Sequence, residues 1–132
     1  MYTTNESGSW VSIKLDSNNN VGKYCSIAID SADGLHVSYR HDSGNKLKYA
    51  YKANGASSWS KEDVDNTGGL FTSIALDSND KPHIAYRDSG GALGYAEKTG
   101  SSWTWTPIVN GGDIGWTSIA IDSNDDIHIA FY

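Results

Sequence analysis

One phrase recurs three times in this 132-residue chain: "SIAIDSADGLHVSYRH" from Ser26, "SIALDSNDKPHIAYRD" from Ser73 and "SIAIDSNDDIHIAFY" from Ser118. The copies open 47 and 45 residues apart. A repeat of that period limits the chain to folds that stack one supersecondary unit, each unit burying its faces against its neighbours. Every copy carries Ile-Ala-(Ile/Leu)-Asp, an Asp-Ser turn, and then His-(Val/Ile)-(Ser/Ala)-(Tyr/Phe). After the first two copies come "KLKYAYK" and "ALGYAEK", the tryptophans Trp59 and Trp103, and then "KEDVD" and "TPIVN". One repeat is thus four short strands, A to D, in about 45 residues, the length and strand count of a β-propeller blade.

The register rests on the tryptophans. "SIKLDSNNN" from Ser12 mimics a strand A, but "SIAID" follows too soon for strands B, C and D to intervene. Tyr2 to Trp10 instead spans eight residues, as Tyr95 to Trp103 does, and Leu15-Asp16 then falls where Val64-Asp65 falls. The expected order is therefore CD-ABCD-ABCD-AB: a half-blade at 2–16, blades at 26–65 and 73–109, and a half-blade at 118–132. That makes three blades' worth of strands. Propellers close with ~4–8 blades, so the expectation is a homodimer closing a six-bladed ring. Its junction blades would join residues 2–16 of one chain to residues 118–132 of the other, removing exposed strand edges.

Side-chain alternation fits two covered faces. In strand A, Ile27 and Ile29 should face one neighbouring blade and Ala28 the other, as should Ile74, Leu76 and Ala75 in the second copy. Composition agrees: 14 Gly, 5 Trp and 8 Tyr with 20% charged residues suit short strands and tight turns. Nothing calls for a helix. A net charge of −6 with 10 Lys and Arg argues against a nucleic-acid partner. No 18-residue apolar run predicts a membrane span, and "MYTTNESGSW" lacks the features of a secretory signal; the compartment is left open. Cys25, the single cysteine, reads as a small buried hydrophobe.

The combined phrase "SIALDSNDKPHIAYRD…LGYAEKTGSSW" resembles the tandem repeats of bacterial and archaeal β-propeller proteins, over nearly the whole chain. The resemblance implies a propeller and carries no defined catalytic role. The layout is also similar, in architecture, to small fucose-binding propeller lectins, which assemble six blades from short chains. That similarity implies carbohydrate sites near a strand-B arginine and strand-C aromatics. Arg40 and Arg87 end strand B here, and Tyr49, Tyr95, Trp59 and Trp103 are the aromatics; of these the sites implied are Arg40 and Arg87 with Tyr49 and Tyr95. The acidic strand-C residue of those lectins has no counterpart, since Glu97 falls later in the strand and Lys52 stands there in the first copy.

Other chemistry is weaker. His36, His83 and His128 follow the A–B turn at equivalent positions; ring geometry would hold them apart, so hydrogen-bonded turn closure is expected rather than a metal site. The pairs Asp30/Asp33, Asp77/Asp80 and Asp122/Asp125 lack the distal ligand of a calcium loop and read as turn caps. A sialidase-like enzyme would need an arginine cluster, whereas Arg40 and Arg87 are the only arginines. No catalytic residues and no cofactor are expected. Trp10, Trp59 and Trp103 read as packing residues. Trp105 is placed on the opposite strand face from Trp103, which would leave one of them exposed for stacking on a sugar. The expected function is a non-catalytic, multivalent, lectin-like module with Arg40, Arg87, Tyr49, Tyr95 and Trp105 as ligand contacts. The competing reading is a purely structural propeller fragment with no ligand, and a glycoside hydrolase is the remaining one.

Overall fold

The computed structural model describes residues 1–18 and 20–132. It is all-β, with no helix among the described residues, and its twelve strands form four small antiparallel sheets. Sheet I pairs β1 (Tyr2–Thr4) with β2 (Val11–Ile13). Sheet II runs β3 (Val21–Ile29), β4 (Leu35–His41), β5 (Lys46–Lys52) and β6 (Ser60–Asp65). Sheet III repeats it with β7 (Gly68–Leu76), β8 (Pro82–Asp88), β9 (Leu93–Thr99) and β10 (Ser102–Val109). Sheet IV pairs β11 (Thr117–Ile121) with β12 (Ile127–Phe131). Each sheet is a meander, because hairpins of a few residues can only join neighbouring antiparallel strands.

The sheets stack face to face in sequence order, and the core lies in the gaps between them. Leu15 of the segment after β2 packs with Val37, Tyr39 and Ala50 of sheet II. Leu47, Tyr49 and Val64 of sheet II pack with Ile74, Ile84, Tyr86 and Ala96 of sheet III. Both faces of a strand are thus used, which is why large and small apolar residues alternate along it. The innermost strands are cross-linked. Ile74 N–H donates to Ser26 Oγ and Ile119 N–H donates to Ser73 Oγ, each at 3.2 Å. This propeller-like row matches the all-β architecture expected from the repeat.

The strands differ from expectation in three places. β3 and β7 start before Ser26 and Ser73, at Val21 and Gly68, through two register shifts each. Gly22 and Gly69 (φ 95° and 94°) and the aromatics Tyr24 and Phe71 (φ 52° and 51°) make that bulged extension. A non-glycine residue in this conformation costs on the order of 1–2 kcal/mol, and here it aims successive rings at each other: Tyr24–Phe71 at 4.7 Å and Phe71–Trp116 at 4.8 Å. Cys25, expected to be buried, is exposed. The face of β3 that carries it looks toward sheet I, which has only two strands and leaves it uncovered. Ile27 and Ile29 lie open for the same reason, at 51% and 62% exposure, whereas Ile74 and Ile119 are buried.

Candidate binding clefts between successive sheets

The A–B turns are built from the first aspartate of each pair. Asp30 Oδ1 accepts from the amides of Ala32 and Gly34 at 3.0 and 2.6 Å. Asp77 Oδ1 receives Asn79 and Lys81, and Asp122 Oδ1 receives Asn124 and Asp126. These are the expected caps. The second aspartate does something the sequence did not announce. Asp80 accepts from Ser31 N–H at 2.9 Å and Ser31 Oγ at 2.5 Å, and Asp125 accepts from Ser78 N–H and Oγ at 2.8 and 2.6 Å. Each turn is thereby bolted to the next. Asp33, Asp80 and Asp125 all stand near φ +60°, the left-handed conformation that aspartate tolerates better than most side chains.

The histidines close the turns as expected. His36 Nε2–H donates to Asp30 Oδ2 at 3.0 Å, and Nδ1 faces the Tyr49 hydroxyl at 2.8 Å. A carboxylate only accepts, so Nε2 carries the donated proton, and the tyrosine hydroxyl pairs with Nδ1. His83 repeats the set with Asp77 at 3.3 Å and Tyr95 at 2.6 Å. The His36 bond holds the Asp30 carboxyl below the usual range. Burial works against ionisation of Asp77, but the Lys81 and Asn79 amides and His83 outweigh it and lower its pKa. Burial pushes the Tyr49 phenol up, and pushes Tyr95 up to about 12.

Beside the first of these sets lies an open cleft of about 300 Å³ between sheets II and III. Trp103 of β10 crosses the gap and meets Tyr49 edge-to-face at 5.0 Å, donating its indole N–H to Glu62 Oε2 at 2.8 Å. Lys98 pairs with Glu62 Oε1 and sits 5.3 Å from the Tyr49 ring centre and 5.7 Å from that of Trp103. Two aromatic rings, a carboxylate and an ammonium thus converge. Sequence reasoning named Tyr49 of this group but neither Glu62 nor Lys98. Trp103 was expected to pack, and its recurrence after each "SSW" was the available signal.

The other candidates lie elsewhere. Arg40 is buried, and its guanidinium donates to Asp42 at 3.0 Å, to the Gly68 carbonyl at 2.9 Å and to Asn45 at 2.6 Å. It sits opposite Leu47 at the hairpin end of β4, whereas Tyr49 pairs with Ser38. Arg87 pairs with Asp113, and its Nε is buried with no partner among the described residues. The span from Arg87 to its strand partner Leu93 is one residue shorter than that from Arg40 to Leu47, and Asp88 is engaged by the amides of Gly90 and Ala92. Trp105 is exposed, but it shares a strand face with Trp103, correcting the expectation of opposite faces: residues two apart on a strand point the same way. Trp10, expected to pack, is 73% exposed, because sheet I has no sheet before it.

No protein-family model matches the chain, and no curated protein does. Among solved structures it is similar to a fucose lectin from Kordia zhangzhouensis in complex with methyl-fucoside. The superposition has a TM-score of 0.56 and covers 82% of each chain at 17% sequence identity. The likeness is one of fold.

Proposed function

We propose that this chain is a non-catalytic carbohydrate-binding propeller whose ligand sites lie in the clefts between successive blades. The observation that carries the reading is the convergence of Tyr49, Glu62 and Lys98 at one open cleft, with Trp103 packed edge-to-face on Tyr49 and bonded to Glu62 beside it. Aromatic faces stack on the apolar faces of sugar rings, and fixed charged groups hydrogen-bond the hydroxyls. The fold it shares with a fucose lectin supports the same class. Tyr49 and Tyr95 are assigned to the cleft walls and Trp105 to an exposed stacking surface. Arg40 and Arg87 are assigned to positioning the B–C hairpins, since Arg40 is fully occupied there.

The Asp–His–Tyr sets do not argue for an enzyme. A nucleophilic phenol needs its pKa lowered, and burial raises those of Tyr49 and Tyr95. We read the full assembly as six blades: two four-stranded blades from each of two chains, with two hybrid blades joining them. Repeated clefts around such a ring favour multivalent binding to a glycan surface.

A glycan array tests the ligand class, with methyl-fucoside as the first soluble probe in calorimetry. The reading expects reproducible binding to one sugar family, abolished when Glu62→Ala and Lys98→Ala are combined. A protein that ignores every glycan supports the structural alternative instead. One observation favours that alternative: Glu62, Lys98 and Trp103 satisfy one another, as packing groups do.

A further inference from the structure

Several contacts recur within and between the sheets along the row, and each is left half-made at the two ends of the row. The Asp–His–Tyr set is complete at His36 and His83. His128 keeps Asp122 at 3.4 Å but has no tyrosine. Tyr2 stands in β1 where Tyr49 and Tyr95 stand in β5 and β9, and its hydroxyl donates to Glu6 on the surface rather than to a histidine. The ring pair Tyr2–Trp59 at 5.5 Å repeats as Tyr49–Trp103 at 5.0 Å. Tyr95 lacks its tryptophan, and Trp10 lacks its tyrosine. Ser31 locks onto Asp80 and Ser78 onto Asp125. Among the described residues Ser123 has no acceptor and Asp33 no donor.

The unpaired halves divide consistently. His128, Tyr95, Ser123 and the exposed Trp116 lie at the sheet III–IV end. Tyr2, Trp10, Asp33 and Tyr24 lie at the sheet I–II end. The halves at one end are the complements of the halves at the other. An apolar hollow of about 210 Å³ waits there, lined by Leu15, Cys25, Ile27 and Val37 among others, where a sheet with only two strands leaves room for two more.

We infer that a second copy of this chain completes the third Asp–His–Tyr set, pairing the free edge of its β1 with the free edge of β12 and placing its Tyr2 hydroxyl on His128 Nδ1. This inference rests on the ring reading above and adds its register. β8 and β9 pair Ala85 with Tyr95 and Ile84 with Ala96. β4 and β5 pair Ser38 with Tyr49 and Val37 with Ala50. The equivalent pairs across the two copies are Ala130 with Tyr2, Ile129 with Thr3 and His128 with Thr4. Serine 123 of one copy then donates to Asp33 of the other, Trp10 meets Tyr95, and Trp116 extends the Tyr24–Phe71 ladder. The apolar surface of β3 is covered, and the added strands remove the open edges. The third junction differs in one matched way: Phe131 replaces Tyr39 and Tyr86, and Val109 replaces Asp16 and Asp65, whose carboxylates receive those hydroxyls at 2.9 and 2.7 Å. Hydroxyl and carboxylate are lost together, leaving an apolar contact region in which Phe131 lies near Leu93 and Ile108.

Two measurements on the intact 132-residue protein test this. In a Cys25→Ala background, Thr3→Cys with Ile129→Cys should oxidise to a covalent dimer, because opposed residues in antiparallel strands are spaced for a disulfide. Thr3→Cys with Ala130→Cys, one residue off, should not. In the unsubstituted protein, nuclear Overhauser contacts should join the Tyr2 ring to the His128 imidazole, and Tyr2→Phe should shift the His128 resonances while sparing His36 and His83. A particle of twice the 14.3 kDa chain mass without the Tyr2–His128 contact overturns the register and leaves the ring standing. A folded monomer overturns both.

Discussion

A buried hydroxyl–carboxylate bond is worth little net but is expensive to break from one side, and the chain contains its own demonstration. Tyr86 donates to buried Asp65 at 2.7 Å, which also holds Thr67. Tyr86→Phe should destabilise the fold by roughly 1–3 kcal/mol, because the carboxylate loses a partner and cannot reach water. Combining it with Asp65→Val recreates the Phe131/Val109 arrangement and should recover part of that loss; urea unfolding measures both. Titration at the turns has a defined sign. Asp30 and Asp77 have folded pKa values below the ordinary carboxylate value. Their contribution is present above the unfolded pKa and disappears as pH falls through the folded one. Thermal stability should therefore decline below about pH 4, and less steeply in Asp30→Asn, which removes one of the responsible groups.

Among the elements, the A–B turn carries two separable loads. Its first aspartate caps its own turn, and its second ties neighbouring turns together from a left-handed backbone. Asp80→Ala removes the acceptor for Ser31 and puts a Cβ without a compensating polar group at φ 60°. It should cost about 1–2 kcal/mol, and Asp80→Asn should cost less, since asparagine keeps an acceptor and tolerates that conformation. Denaturant midpoints at constant m-value distinguish them. The bulged starts of β3 and β7 are the other element-scale device: two glycines at positive φ let one aromatic per sheet turn inward to stack on the next.

For the whole molecule, the open ends dominate the physics. Trp10, Trp116, Ile27, Ile29 and Phe131 are all substantially exposed in a single chain. Large apolar surfaces left open in this way mark sites of association. Light scattering should return twice the chain mass, and dilution toward the monomer should move tryptophan emission to the red as Trp10 and Trp116 meet water. If the proposed ring forms, Cys25 should react slowly with thiol reagents at high protein concentration and quickly on dilution, because a sheet of the second copy would cover it.

The unit, its strand order and the chemistry of its turns are legible in the residues alone. The recurring Ser-Ile-Ala-x-Asp phrase, the tryptophan spacing that exposed Ser12–Asn20 as a decoy, and the capping roles of Asp30, Asp77 and Asp122 are local, and local patterns are written in neighbouring residues. What faces what was decided only in three dimensions. Cys25 and Ile27 look like core residues in any window of sequence, yet their burial depends on a sheet that sheet I leaves incomplete. Glu62 and Lys98 acquire meaning only when Trp103, some forty residues on, crosses the gap between sheets. Arg40 and Arg87 occupy one repeat position but find different partners, because a single-residue deletion in the hairpin moves the carboxylate out of reach. Repetition specifies the blade; the distance between blades, and therefore the cleft, is set by packing.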